Sequence, residues 1–415
     1  MMISNCRRFM ALSIALFFSL ESNVCAEYSN GIFSLSAFGT LGGAWLSNQN
    51  VDFSQGSLAT GPGRSHDFDV GLDSRLGAQL NVALTPRTLI TVQSVVERLS
   101  DNSFEPRLTQ ANIRHELTDD LAVRIGRLQS PVFLASDYRL ANFSNPWVRA
   151  PGVLYNIYPL THLDAADFTY RLKSDLGLFS LNAGYGWVSY PFPAGGTNGG
   201  KATATLNLDN VFFANLKLDK EAWRYKLSWL HAQIDANLKE LDDFIVGLSA
   251  LDPRMSEALP FTNLGVDMYT FGFSYDSDNW LVMGEWGIAL LDRTNLFSDL
   301  NAGYLTAGYR IDRWMPHITL GYRSSSDSRV HSGNAIVDST LAGLHQLQRS
   351  DYQTLAIGLN YSVNDFMILR GQLDLIEPTR FSRGPYMQDV ELGGHYNLQD
   401  PGVDALFSVS LDFVY

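Results

Sequence analysis

The sequence predicts an all-β fold: a closed, antiparallel, up-and-down transmembrane β-barrel of about 16 strands. Three observations predict it. Apolar and polar residues alternate with a period of two in segments that recur from Ile32 to the end of the chain, as in strands whose two faces have different surroundings. The connections between these segments are alternately short and long. No stretch after the N-terminal region approaches the roughly 18 consecutive apolar residues of a membrane helix, so strands are the candidates for crossing a membrane.

The predicted strands share this alternation of an apolar and a polar face. They cover residues 33–45, 72–84, 89–98, 107–117, 121–127, 166–172, 177–187, 209–218, 223–234, 266–275, 280–289, 301–310, 314–322, 352–361, 367–376 and 405–415. An even number of strands is typical of bacterial outer-membrane barrels. It also places the first and last strand ends on the same rim, where the two strands can pair and close the barrel.

The connections support the same topology independently. Short polar turns such as TPRT from Thr85 and DSDN from Asp276 separate paired strands, whereas long connections such as 128–165 and 323–351 separate the pairs. A barrel with tight periplasmic turns and extended external loops has this arrangement. Residues 238–248 carry leucine and isoleucine at helical spacing before Pro253, which predicts a helix within one long loop.

The N-terminal segment predicts export. Two arginines precede an apolar run at residues 9–20, and a small-residue stretch follows at 24–26. This order is typical of a secretory signal peptide. We therefore expect a cleaved signal peptide at 1–26 and a single barrel domain at 27–415, located in the outer membrane of a Gram-negative bacterium. Both cysteines fall within 1–26, so the exported domain is expected to fold without disulfides.

Composition and motifs narrow the function classes. The formal net charge of −13 argues against a nucleic-acid partner. The sequence contains neither H-E-x-x-H nor G-x-S-x-G, so we expect no metal, no cofactor and no enzymatic activity. His162 with Asp164 and Asp167 is the one acid/base group that an outer-membrane lipase or protease could use. A plugged adhesin or structural barrel and a soluble exported β-protein are further alternatives.

The last strand, ALFSVSLDFVY at 405–415, is the most regular. Its polar positions Ser408, Ser410 and Asp412 are expected to face water. Its apolar positions are expected to face lipid, and the terminal aromatic is expected to lie in the girdle at the membrane interface. Girdle positions are also expected for Trp187, Trp223, Trp229, Trp280 and Tyr361, which fall on the apolar face of their strands.

A family resemblance follows from these motifs. A barrel strand that ends LDFVY resembles the signal by which outer-membrane proteins reach the barrel-assembly machinery, with Phe413 and Tyr415 in the recognised positions. The chain after the signal peptide resembles the sixteen-stranded porins of Gram-negative bacteria. That resemblance implies a water-filled channel for passive diffusion of small hydrophilic solutes, contact with outer-membrane lipid and lipopolysaccharide, and a homotrimer.

The porin resemblance also implies an inward-folded third external loop. The matching stretch is RIGRLQSPVFLASDYRLANFSNPWVRAP, in which Gly126, Arg127 and Pro131 resemble the exit from the strand into the constriction loop. The acidic PEFGG-like turn of the general enteric porins is absent from it.

The polar face of each strand predicts the pore lining. Candidate pore-lining and constriction residues are Arg75, Arg114, Arg124, Arg127, Asp137, Asp164, Asp167, Arg171, Glu285, Arg310 and Arg370. Rings of charge set the sign of the solutes that a pore admits. Asp137 and Asp164 are expected to oppose the arginines of the wall. An alternative of equal weight is that these arginines only satisfy neighbouring carboxylates, so the sign of the preferred ion stays open.

Overall fold

The structure is a computed structural model that describes residues 28–29, 31–54, 64–99, 103–158, 160–193, 203–236, 239–258, 262–292, 298–326, 332–387 and 401–415. The predicted signal peptide at 1–26 lies outside these residues. Sixteen long antiparallel strands form one closed barrel. They are β1 Phe33–Leu46, β2 Arg75–Thr85, β3 Thr88–Arg98, β4 Phe104–Glu116, β5 Leu121–Gln129, β6 His162–Ser174, β7 Gly177–Pro193, β8 Thr203–Lys220, β9 Trp223–Ala236, β10 Leu264–Asp276, β11 Trp280–Leu291, β12 Leu300–Tyr309, β13 Trp314–Ser325, β14 Tyr352–Asn364, β15 Met367–Pro378 and β16 Asp404–Val414.

Closure depends on the pairing of β16 with β1. The register runs from Leu406 opposite Leu46 to Val414 opposite Phe38. Beyond the strand end, Ala37 and Tyr415 exchange both backbone hydrogen bonds at 2.7 Å. Each strand thus has a neighbour on both sides, and the predicted closing role of the last strand is confirmed. The pairing matters because an unpaired backbone amide or carbonyl in hydrocarbon costs several kcal/mol.

The two faces of the barrel have opposite polarity. On β1 and β16, Leu41, Trp45 and Phe407 are exposed on the outside, whereas Thr40 and Asp412 are buried inside. The Thr40 hydroxyl donates to the Asp412 carboxylate at 2.6 Å. An apolar exterior around a polar interior is the arrangement of a membrane-spanning barrel. Among the described residues, no helix is long and apolar enough to span a membrane.

Short turns and long loops lie on opposite rims. Two to four residues link β2 to β3, β4 to β5, β6 to β7, β8 to β9, β10 to β11, β12 to β13 and β14 to β15; we call this end the short-turn rim. The other end is the long-loop rim. β1 begins and β16 ends at the short-turn rim, as the even strand count predicts.

All sixteen predicted strands are present, but the second begins later than expected. β2 starts at Arg75 rather than at 72 because the upper part of β1 pairs with the preceding loop: Ala44 and Asp69 exchange backbone hydrogen bonds at 2.9 and 2.8 Å. The Asp69 carboxylate accepts hydrogen bonds from Arg98 at 2.6 Å and from the Arg64 backbone at 2.8 Å. Burial raises the pKa of Asp69, but these hydrogen bonds outweigh burial and hold it below its usual value.

The helices belong to the connections. They are α1 Gly152–Tyr155, α2 Lys239–Leu251, α3 Met255–Ala258 and α4 Ala335–Gln348. The predicted loop helix is confirmed by α2. Ile245 and Leu248 of α2 form one buried apolar cluster with Val337 and Leu341 of α4, so two long loops pack together at the long-loop rim.

The exterior polarity predicts a depth-dependent cost for an introduced charge. Ile357 lies at the middle of β14 and Leu84 near the end of β2, and both side chains are exposed on the outside. We expect Ile357→Arg to lower the free energy of unfolding by about 2–4 kcal/mol and Leu84→Arg by about 0–1 kcal/mol. Urea unfolding of the barrel in lipid vesicles measures both. Equal costs at the two depths would contradict a membrane boundary across this surface.

Candidate functional site: the lumen and its inner segment

The connection between β5 and β6 carries several of the largest fully buried side chains among the described residues. We call residues 130–161 the inner segment. Trp147, Leu154 and Tyr155 are each at most 1% exposed. Gly126 lies within β5, three residues before its end, with a φ of +127°, and a Cβ there would lie 2.3 Å from the Ala111 carbonyl oxygen. Only glycine fits that position of the strand.

The first part of the inner segment is bound to β9, β10 and β11. The Glu285 carboxylate accepts hydrogen bonds from the Leu134 backbone at 2.6 Å and from the Tyr155 hydroxyl at 3.3 Å. The Lys226 ammonium donates to the Phe133 carbonyl at 2.6 Å. These contacts satisfy backbone groups of an irregular segment that is shielded from water.

The second part is bound to β12, β13, β14 and β15. The Trp147 indole N–H lies 2.9 Å from the Thr306 hydroxyl and 3.0 Å from the Thr319 hydroxyl. The Asn360 side chain donates to the Pro146 carbonyl at 2.8 Å, and the Gln372 side chain accepts from the Val148 backbone at 3.0 Å. Polar side chains on the lumen face of these strands therefore act as fixed partners for the segment.

Two buried arginines complete this attachment. Arg149 of the segment binds Asp73 at 2.6 Å and Asp374 at 3.2 Å. Arg370 of β15 forms an ion pair with Asp412 of β16 and donates to the Asn145 carbonyl of the segment at 2.8 Å. Charged groups this deeply buried persist when they are paired and hydrogen-bonded. The hydrogen bonds of the segment thus go mainly to β9–β16, and the segment also reaches Asp73 before β2 and packs Leu140 against β1 and β3.

The predicted pore-lining residues fall into separate places. Arg75, Arg114, Arg124, Asp167 and Arg171 face the lumen from β2, β4, β5 and β6, opposite the wall that holds the inner segment. Asp137, on the segment, lies within electrostatic range of Arg124, Arg224 and Lys226. Glu285 and Arg370 are covered by the segment. Arg310 lies at the short-turn rim, 2.7 Å from Asp276.

Arg127 and Asp164 require a correction. They are cross-strand neighbours in register with Trp187, which is 54% exposed on the outer surface, whereas Leu128 and Leu163 beside them are buried inside. Arg127 and Asp164 form a two-point ion pair, at 2.8 Å for each contact, on the outer face. The sequence predicts Asp164 in the loop, but β6 already begins at His162, and strand alternation then turns this side chain outward.

A second group of arginines lies above Arg124, toward the long-loop rim. Arg107 forms an ion pair with Glu97 and donates to the Tyr190 hydroxyl. Arg75 is the cross-strand neighbour of Glu97, and Arg139 of the inner segment interacts electrostatically with both Arg75 and Glu97. Burial lowers the pKa of Arg139, and the proximity of Arg75 lowers it further, although a guanidinium stays protonated in proteins.

The sequence pattern does not identify Arg107 and Glu97 as lumen residues. The register of β3 and β4 shifts between Gln93 and Ser94, where β4 has one extra residue. Counting back from Arg114 in steps of two therefore assigns Arg107 to the outside, whereas the bulge turns it inward. A bulge of this kind has no clear signal in a single sequence.

The two aspartates of the candidate acid/base group, Asp164 and Asp167, lie on opposite sides of the barrel wall. Asp164 faces outward and pairs with Arg127, while Asp167 faces the lumen and accepts from the Arg124 Nε at 3.0 Å. Within the described ranges, no cluster of three or more His, Cys, Asp or Glu side chains has a geometry that could hold a metal ion.

Comparisons with known proteins bear on the fold. No family model matches the sequence, and no curated protein matches it. Among solved structures, it resembles Salmonella typhi OmpF in complex with daunomycin, with a TM-score of 0.55 at 10% identity over 94% of this chain and 100% of that chain. The trimer form of OmpT, an outer membrane protein of Vibrio cholerae, has a TM-score of 0.52 at 11% identity over 92% of this chain and 100% of that chain.

The chain has the fold of the outer-membrane porins. A mutant of Rh. blastica porin is a further structural neighbour, with a TM-score of 0.48 at 11% identity over 92% of this chain and 100% of that chain. The likenesses to OmpF and to OmpT, at 10–11% identity, show the fold alone and leave the solute to be argued from this chain's own residues.

The buried Arg370–Asp412 pair provides a stability test. Arg370→Met leaves the Asp412 carboxylate buried without its cation, so we expect the free energy of unfolding to fall by about 3–5 kcal/mol. The double variant Arg370→Met with Asp412→Leu removes both charges and is expected to recover most of that loss. Urea unfolding of Arg370→Met, of Asp412→Leu and of the double variant gives the double-mutant cycle. Losses of unfolding free energy that simply add would contradict an energetic coupling between the two residues.

Proposed function

We propose that this protein is an outer-membrane porin that forms a water-filled channel for passive diffusion of small hydrophilic solutes. The main support is the way in which the inner segment is attached. Hydrogen bonds to its backbone and to Trp147 come from β11, β12, β13 and β15, whereas half-buried charged side chains face the lumen from β2, β4, β5 and β6. A narrowed, charge-lined passage between these two walls restricts solutes by size and charge.

The proposal includes the route by which the protein reaches the membrane. The signal peptide at 1–26 is removed, and Phe413 and Tyr415 at the end of β16 are recognised by the barrel-assembly machinery. The short-turn rim then faces the periplasm and the long-loop rim faces outward, among lipopolysaccharide headgroups. The existence of a trimer form of the structurally similar OmpT supports a homotrimer.

Enzymatic activity and cofactors are not part of the proposal. An outer-membrane lipase or protease needs a nucleophile and base, or paired acids, within hydrogen-bond reach. Asp164 and Asp167 face opposite sides of the barrel wall, so the acid/base group suggested by the sequence does not favour hydrolysis. The remaining alternative is a plugged adhesin or structural barrel, in which the inner segment blocks the lumen.

Conductance separates the porin from the plugged barrel. Purified protein, shown to be folded by heat-modifiable migration in detergent, is added to a planar lipid bilayer in potassium chloride. We expect stepwise increases in current as single channels insert. Folded protein that inserts without passing current would contradict the porin assignment.

The attachment of the inner segment should control the width of the passage. Trp147→Ala removes the indole that bridges Thr306 and Thr319, so we expect a larger and noisier single-channel conductance as the segment loosens. Trp187→Ala is the matched control, because Trp187 lies on the outer surface, and it should leave conductance unchanged. Equal conductance in wild type and Trp147→Ala would show that the segment does not limit the current.

A further inference from the structure

The lumen face of β4 to β9 carries two pairs of like charges that face each other across neighbouring strands. Arg114 of β4 is the cross-strand neighbour of Arg124 of β5, and Lys217 of β8 is the neighbour of Lys226 of β9. Like charges directly opposite one another destabilise a sheet. Lys226 is held by the Phe133 carbonyl of the inner segment. Proteins commonly break such local rules at functional sites, so it is the Arg114–Arg124 pair that points to a role other than folding.

These side chains belong to a continuous basic surface. Arg171 of β6 lies in the same row as Lys217 and Lys226, since both Arg171 and Lys217 are in register with Ser180. Arg114 interacts repulsively with both Arg124 and Arg171. We call Arg114, Arg124, Arg171, Lys217 and Arg224 the basic strip; Lys226, which borders it, is bound to the Phe133 carbonyl of the inner segment. It runs down the lumen face from the level of the inner segment toward the short-turn rim.

The neighbouring carboxylates are fewer than these cations. Glu116 pairs with Arg114 at 3.0 Å, Asp167 pairs with Arg124, and Asp219 is shared by Lys217 at 3.3 Å and Arg224 at 2.6 Å. Asp137 contributes one more negative charge near the strip. Within the described part of the chain, Arg171 has no carboxylate at ion-pair distance.

Cationic side chains also outnumber carboxylates at the level of the inner segment. Arg75, Arg107 and Arg139 surround Glu97, which forms its ion pair with Arg107. The Arg75 Nε is buried and has no hydrogen-bond partner. Glu105 is in register with Glu97 but is exposed near the long-loop rim. A solute that passes the inner segment therefore meets first this arginine cluster and then the basic strip.

From this arrangement we propose that the channel prefers anions, and that its substrates are small anions such as inorganic phosphate and short carboxylates. The inference rests on the proposed porin function and adds the sign of the solute. Guanidinium groups bind carboxylate and phosphate oxygens through paired N–H donors. Two successive groups of cations along one wall allow an anion to enter and to pass from one group to the next.

The test is the zero-current potential of the full-length exported protein in a planar bilayer with a gradient of potassium chloride. We expect the zero-current potential to have the sign that chloride permeation produces. We also expect a smaller chloride current when inorganic phosphate is added. The double variant Arg75→Gln with Arg171→Gln removes two cations that have no carboxylate at ion-pair distance among the described residues, so its chloride-to-potassium permeability ratio should fall toward one. Arg127→Gln, on the outer face, is the matched control and should keep the wild-type ratio.

The outcomes distinguish the two proposals. Absence of any current from folded protein overturns the channel itself. A current whose zero-current potential has the potassium sign overturns anion preference and leaves the channel intact. An unchanged ratio in the double variant, with heat-modifiable migration intact, overturns the assignment of selectivity to these arginines.

Discussion

Satisfaction of backbone hydrogen bonds in hydrocarbon is the constraint on which the rest of the structure depends. A strand in lipid has no water to replace a missing partner, so the sheet must have no free edge. The pairing of β16 with β1, extended by the Ala37–Tyr415 exchange, removes the last edge. Closure then fixes which side chains face lipid and which face the lumen, because alternation along each strand leaves no other choice.

The backbone of the inner segment also needs hydrogen-bond partners, although it lies inside the barrel and not in lipid. Its backbone is irregular, and so its polar groups need partners that the sheet cannot supply. Lumen side chains of β9 to β16 supply them: Glu285, Lys226 and Gln372 each bind one backbone group of the segment. These residues are therefore committed to positioning. The proposed solute-facing part of the lumen lies on β2, β4, β5 and β6, where Arg75, Arg114, Arg124 and Arg171 make no hydrogen bond to the backbone of the segment among the described residues.

This division explains what the sequence could and could not predict. Period-two alternation and turn lengths were sufficient to predict sixteen strands, their order and the closing pair. The reason is that the apolar and polar faces of each strand are visible in the residues of that strand alone. They were insufficient to predict which lumen residues contact solvent. Alternation along a strand identifies a side chain that points inward, but it does not show whether another segment covers that side chain, as the inner segment covers Arg370. Parity also fails at local irregularities: the bulge near Thr109 turns Arg107 inward, and the early start of β6 turns Asp164 outward.

The placement of charge follows from these two roles. Where the inner segment excludes water, the lumen cations are neutralised within short range, as in Arg149 with Asp73 and Arg370 with Asp412, because a buried unpaired charge is costly. On β4 and β5, Arg114 faces Arg124, and both side chains are only half-buried. Such repulsion is weaker where water or an anion can screen it. This like-charge pair therefore supports the proposal that solutes pass along this side of the lumen.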